Sequence, residues 1–133
     1  MDLYIKNNVM KHEYTMHQYV YNLNIVNTPK IISYNETSKT MTMERINNMC
    51  ISDMYGEEAT DVDEPVFDEV RKIIKCLYSN NIEYPDITGY NFIEYDKKMW
   101  IIDFEHASIS NHITNPFIKE FIGGINIWNP EFK

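Results

Sequence analysis

The chain is predicted to be a small α+β protein, and three patterns carry that prediction. They are an amphipathic segment at 64–79, a hairpin pattern at 92–102, and two β-rich runs at 29–34 and 39–46. With 133 residues it is read as one domain, large enough to bury a core.

The elements follow in chain order. Met10, Tyr14, Val20 and Tyr21 recur at helical spacing between Met10 and Leu23, with Glu13 one turn from the start. Pro29-Lys30-Ile31-Ile32-Ser33-Tyr34 and Lys39-Thr40-Met41-Thr42-Met43-Glu44-Arg45-Ile46 are separated by a polar turn and read as a strand pair. Tyr55 to Asp63, rich in Gly, Glu and Asp, reads as an exposed acidic connector. From Glu64 to Ser79, Val66, Phe67, Val70, Ile73, Ile74, Leu77 and Tyr78 form one apolar face; Asp63 is a candidate cap, Pro65 suits the first turn, and Asn80-Asn81 ends the helix. Ile82 to Asp86 is a brief strand running into a loop. Phe92-Ile93 and Met99-Trp100-Ile101-Ile102 flank a polar loop, Glu94 to Lys98. A short helix at Pro116 to Phe121 stops at Gly123-Gly124, and the tail from Trp128 to Phe132 folds back through its aromatics.

Composition narrows the function. A formal charge of −8 and a pI near 4.9 argue against a nucleic-acid surface, because phosphate contacts need clustered Lys and Arg. Cys50 and Cys76 are too few and too far apart for a disulfide framework or zinc knuckle and read as free thiols. No apolar run approaches the roughly 18 residues of a membrane span, and no leader pattern is present, so a cytoplasmic location is expected. Abundant Ile and Asn with scarce Ala and Leu suggest an AT-rich genome, such as that of a large DNA virus, which would place the protein in the host cytoplasm.

The chemistry concentrates in Tyr84-Pro85-Asp86-Ile87-Thr88-Gly89-Tyr90-Asn91 and Trp100-Ile101-Ile102-Asp103-Phe104-Glu105. Asn91 starts one strand of the hairpin and Asp103 follows its partner. Those ends are neighbours in an antiparallel pair, so amide and carboxylate can converge on one cation. Two carboxylates sharing a cleft repel, so Asp86 and Asp103 together call for a cation or a retained proton.

An Asp, an Asn five residues later, a hairpin and Asp-Phe-Glu together resemble the catalytic and metal-binding loops of protein-kinase-like phosphotransferases. The Asp-Phe-Glu form is similar to aminoglycoside and choline kinases, and the small size to RIO kinases and the atypical kinase subunit of the KEOPS complex. The resemblance implies a minimal protein-kinase-like fold, with a truncated N-lobe at 1–46, a hinge and connector at 47–63, and a reduced C-lobe at 64–133. It implies ATP and Mg²⁺ as cofactors, with Asp86 as catalytic base and Asn91 and Asp103 as metal ligands. Lys6, held by Glu13, would neutralise phosphate charge. Met43 would border the base pocket, with the Glu44 carbonyl and Ile46 amide meeting the base edge; apart from the resemblance, Met43 reads equally well as a core methionine.

Departures accompany the matches. The first glycine is Gly56, so the sequence as given carries no Gly-rich loop over the phosphates. Tyr84 stands where the family has His, Thr88 where it often has Lys, and only 108–116 is available as an activation segment. Two function classes follow: an ATP-dependent phosphotransferase or ATPase, working with a protein partner that completes the site, and a non-catalytic kinase-like (pseudokinase) binding module. Retention of Asp86, Asn91 and Asp103 favours the enzyme.

Overall fold

The computed structural model describes residues 2–110 and 115–132. Strand β1 (Leu3–Lys6) leads into helix α1 (Lys11–Leu23), followed by β2 (Ile31–Asn35) and β3 (Thr40–Glu44). These strands form an antiparallel sheet in the order β1-β3-β2, with Tyr4 opposite Met43 and Lys6 opposite Met41. Strand alternation turns Met41 and Met43 inward, where they pack with Val9 against the stacked rings of Tyr14 and Tyr34, 4.5 Å apart. Helix α1 therefore lies against the sheet, with Glu13, Met16, His17 and Val20 on its buried face.

Helix α2 (Ile51–Tyr55) and a connector to Asp63 that is mostly exposed but buries Val62 in the core precede α3 (Glu64–Ser79), whose bounds match the apolar periodicity. Asp63 stands at the N-cap, but its side chain makes no capping bond, and Pro65 fixes the first turn instead. Seven α3 residues, Val66 to Leu77, are buried, and the core continues through Phe92, Phe104, Phe121 and Trp128. Among them Arg71 donates from Nε to the Phe121 carbonyl at 2.6 Å and from a terminal guanidinium nitrogen to Asn126 Oδ1 at 2.5 Å, tying the tail to α3.

Strand β4 (Ile82–Glu83) pairs with a later two-residue strand, Ser108–Ile109, which brackets both loops of the motif. Between them, β5 (Phe92–Tyr95) and β6 (Lys98–Ile101) form the expected hairpin. Its connection is shorter than the five-residue polar loop read from sequence: only Asp96 and Lys97 turn, both at positive φ (53° and 59°), as a tight hairpin twisted with its strands requires. The last helix, Pro116–Ile122, is capped by Asn115 Oδ1 accepting from the Phe117 amide at 2.9 Å. Trp128 folds back onto Phe67, ring centroids 4.4 Å apart. Of the segment 108–116, residues 111–114 lie outside the described residues.

Candidate functional site

Between the sheet and the β5–β6 hairpin lies a cavity of about 410 Å³, within the range of small-molecule pockets. Seven of the eight residues singled out from sequence line it: Lys6, Glu13, Met43, Glu44, Ile46, Asn91 and Asp103. Met43 combines both of its readings, being 6% exposed in the small core while presenting a surface to the cavity. Ile46 is buried at the cavity wall, and its carbonyl accepts from the Asn48 amide at 2.8 Å, turning the chain after β3. The Glu44 carboxylate is drawn to the neighbouring strand, accepting from the Lys30 amide at 2.9 Å.

The opposite end is ionic. Lys6 Nζ donates to Glu13 Oε2 at 2.5 Å and lies 3.5 Å from Asp103 Oδ1, so β1, α1 and the motif loop meet at one ammonium group. Burial opposes the charge on Lys6, but the Glu13 hydrogen bond and the charges of Asp103 and Glu13 outweigh it and raise the pKa. Burial raises the pKa of Glu13, which Lys6 partly counters. Carboxylate oxygens of Glu13, Asp103 and Glu105 all lie within 4.8 Å of one another, and Glu105 was not assigned a site role from sequence.

Asp86 is the one of the eight that does not line the cavity. The Asn91 side-chain Nδ2 donates to the Asp86 backbone carbonyl at 2.9 Å, and the Ile102 amide donates to the Asn91 backbone carbonyl at 3.0 Å. This links the loop to the hairpin and leaves Asn91 Oδ1 as an acceptor. Half-buried Asp86 has its pKa raised by desolvation, with the negative charges of Asp103 and Glu105 adding to it while Asn91 and His106 oppose it.

The backbone of this site is held by groups to which the sequence reading assigned no such role. Tyr84 is 1% exposed, and its hydroxyl donates to the carbonyls of Ile102 at 2.6 Å and Asp103 at 2.8 Å. Asp103 is thereby kept at φ 65°, a left-handed conformation that Asp tolerates because its own Oδ1 accepts from the Glu105 amide at 3.3 Å. Phe104 is fully buried between Tyr84 and His17, and so connects α1 to the motif. His17 Nε2 donates to the Pro29 carbonyl at 2.8 Å, and burial lowers its pKa to about 4. From the tail, Asn129 Nδ2 donates to the Pro85 carbonyl at 2.8 Å and its amide to the Ile87 carbonyl at 2.9 Å. Gly89 permits the close approach of α2, since a Cβ there would meet Ser52 Oγ at 2.3 Å. A buried amide that aligns with loop carbonyls could not have been read from spacing, because Asn129 lies 38 residues beyond Asn91 with no motif between.

A structural neighbour is PK-1, the kinase of Cydia pomonella granulovirus: TM-score 0.57, 16% identity, covering 80% of this chain and 43% of that one. The curated relative is the EKC/KEOPS complex subunit BUD32 of Enterocytozoon bieneusi (strain H348), 25% identical over 124 residues that cover 83% of this chain and 61% of that protein. The fold is protein-kinase-like, and the chain is similar to such proteins in sequence. No protein-family model matches the sequence. This kinase-like chain spans less than two thirds of the length of either protein. Among the described residues no helix is long and apolar enough to cross a membrane.

The donor set suits the cofactors that such a fold implies. Asp103 and Asn91 offer the hard oxygens that Mg²⁺ prefers, and Lys6 offers a cation to phosphate oxygens. The apolar end, with Met43, Ile46, Ile93 and Ile102, suits the face of a nucleotide base.

Proposed function

We propose that the chain is a Mg²⁺- and ATP-dependent phosphotransferase or ATPase of minimal kinase-like fold. The observation that carries this reading is the meeting of Lys6, Glu13 and Asp103 at one end of a cavity whose other end is apolar. Mg²⁺ would be held by Asn91 and Asp103, and when bound it supplies neutralisation of charge on the nucleotide phosphates. Lys6, oriented by Glu13, binds phosphate oxygens from the sheet side. Met43, the Glu44 carbonyl and the Ile46 amide border the base.

Asp86 orients the acceptor hydroxyl or water and takes its proton. The raised pKa of its carboxyl suits a base, bringing its proton affinity closer to neutral pH. Little covalent chemistry is asked of the protein, so catalysis is positioning plus electrostatics. Residues 1–46 then act as a reduced N-lobe, 47–63 as hinge and connector, and 64–133 as a reduced C-lobe. The curated relative is named as the subunit of a complex, and a protein partner that completes the site is part of this proposal.

The test is a thermal-shift titration with MgATP, with and without EDTA, followed by phosphate-release assays. A ligand that binds only the native state raises apparent stability by mass action. A Mg²⁺-dependent rise with turnover supports the enzyme. A rise without turnover, alone or with a partner, leaves a kinase-like binding module, and no rise at any MgATP concentration rejects nucleotide binding.

A further inference from the structure

We propose that a second groove, between α3 and the turn of the β5–β6 hairpin, docks an acidic segment of a partner protein that also carries apolar side chains. The inference goes beyond the nucleotide reading above. This groove, a cavity of about 390 Å³, shares no lining residue with the cavity which that reading uses. Its walls are α3, residues 25–27 after α1, and the hairpin turn with the start of β6. They are fixed to one another. The Cys76 thiol donates to the Ile25 carbonyl at 3.4 Å, and Asn27 Nδ2 donates to the Met99 carbonyl at 3.2 Å, so the groove is formed before anything enters it.

The groove joins an apolar lining to exposed cations. Ile73 and Met99 reach it from the core, beside half-buried Ile25 and Val26. Lys72 lines it from α3, and Lys97 and Lys98 line it from the hairpin. Glu69 answers Lys72 at 2.9 Å, but among the described residues no ion pair reaches Lys97 or Lys98. The turn does not account for a lysine at position 97. Its φ of 59° is left-handed, and glycine is the residue favoured there in a two-residue hairpin loop. A lysine is kept against the preference of its own backbone. Carboxylates of an incoming segment would pair with the free ammonium groups while its apolar side chains cover Ile73 and Met99. A phosphate polymer satisfies the lysines alone, and a second copy brings a like charge of −8.

Fluorescence anisotropy with a labelled peptide of glutamates and leucines tests the assignment on the full chain. The proteins are wild type, Lys97→Gly, Lys72→Gln, the two substitutions together, and Lys39→Gly. Glutamine keeps the helix propensity of position 72, and glycine suits the turn at 97, so the fold is retained. Lys39 is the control: it is exposed at φ 55° between β2 and β3, so its change to glycine removes the same charge and the same backbone strain away from the groove. Wild type should bind the peptide, and should bind it more weakly when serines replace the leucines. The paired substitutions should lose on the order of tenfold in affinity, the scale of two exposed ion pairs, and Lys39→Gly should bind as wild type does. Lys97→Gly should unfold at a higher urea concentration than wild type while binding the peptide less tightly, a combination that a merely structural role does not produce. Equal losses from Lys97→Gly and Lys39→Gly, or binding of the serine peptide or inorganic polyphosphate as tight as that of the leucine peptide, would reduce the effect to general charge and overturn the groove. Wild type that ignores the peptide would overturn it as well, and self-association of the protein alone that Lys97→Gly abolishes would assign the groove to a second copy. MgATP binding should be the same in all five proteins, so failure here leaves the nucleotide reading standing, and failure to bind MgATP leaves the groove standing.

Discussion

The Tyr84 hydroxyl donates to the Asp103 carbonyl at 2.8 Å, across nineteen positions of sequence, and so ties the residue two before Asp86 to the proposed metal ligand. The same hydroxyl reaches the Ile102 carbonyl at 2.6 Å. A residue that is a departure from the family in sequence is, in the fold, a clamp on the backbone of the second motif loop. Burial raises its pKa well above the ordinary tyrosine value, with the charge of Asp103 adding to the effect, so it remains a donor at neutral pH.

Tyr84→Phe should therefore destabilise the protein by about 1–3 kcal/mol, because two carbonyls in a buried setting lose their shared donor. Urea unfolding measures the loss. The variant should also weaken Mg²⁺-dependent nucleotide binding, since Asp103 is no longer fixed at its positive φ. An unchanged unfolding midpoint would mean that the loop backbone is held without this hydroxyl.

Asp86 and Asp103 should separate by role. Asp103→Asn suits the left-handed backbone at position 103 and removes the charge, so Mg²⁺ dependence of ATP binding should be lost. Asp86→Ala should leave binding largely intact and remove turnover. Calorimetry and phosphate release on the two variants check this. Identical behaviour in both assays would show that the two carboxylates act as one unit.

Much of this arrangement was legible in the sequence because it is local. The α3 face repeats at the helical period over four turns, so its bounds emerge from spacing alone, and two apolar runs around a turn reveal the β5–β6 hairpin, although Glu94, Tyr95 and Lys98 extend its strands into what reads as loop. The convergence of Asn91 and Asp103 follows from the same hairpin, with Phe92 opposite Ile101. What was not legible depends on contacts distant in sequence. The two-residue pairing of β4 with Ser108–Ile109 carries no periodicity, and Asn129 reaches Pro85 across a separation of 44. Asp63 illustrates the opposite error: a residue type suited to capping does not cap when its side chain makes no bond to the first turn.

The Lys6 and Glu13 pair predicts two effects in one variant. Lys6→Ala should weaken MgATP binding by about 1–2 kcal/mol, the scale of one charge-assisted contact. It should also destabilise the fold, because Glu13 is 3% exposed and loses its counter-charge. Glu13→Ala should weaken binding less, since it only orients the lysine. Lys11→Ala is the control: Lys11 is exposed and pairs loosely with Glu36 at 3.8 Å. Equal losses of affinity from Lys6→Ala and Lys11→Ala would assign the effect to general charge.

His17 gives the stability a defined pH dependence. Its folded pKa of about 4 lies below its ordinary 6.5, chiefly because burial disfavours the imidazolium, with Lys6 adding repulsion against the favourable Pro29 carbonyl. The unfolded chain therefore binds this proton more readily, so the contribution is complete above 6.5 and is lost as the pH falls toward 4. Glu13 and Asp86 act oppositely. Their pKa values are raised in the fold from 4.5 and 3.8, so protonation at low pH relieves their buried charge and partly offsets the loss at His17. A comparison with His17→Gln, which keeps an amide donor for the Pro29 carbonyl and does not titrate, isolates the histidine. Between about pH 7 and about pH 4.5, wild type should lose about 2 kcal/mol more unfolding free energy than the variant, measured by urea unfolding at each pH. Parallel pH profiles for the two proteins would mean that position 17 takes up no proton on unfolding, and that the α1–Phe104 contact does not depend on a neutral imidazole.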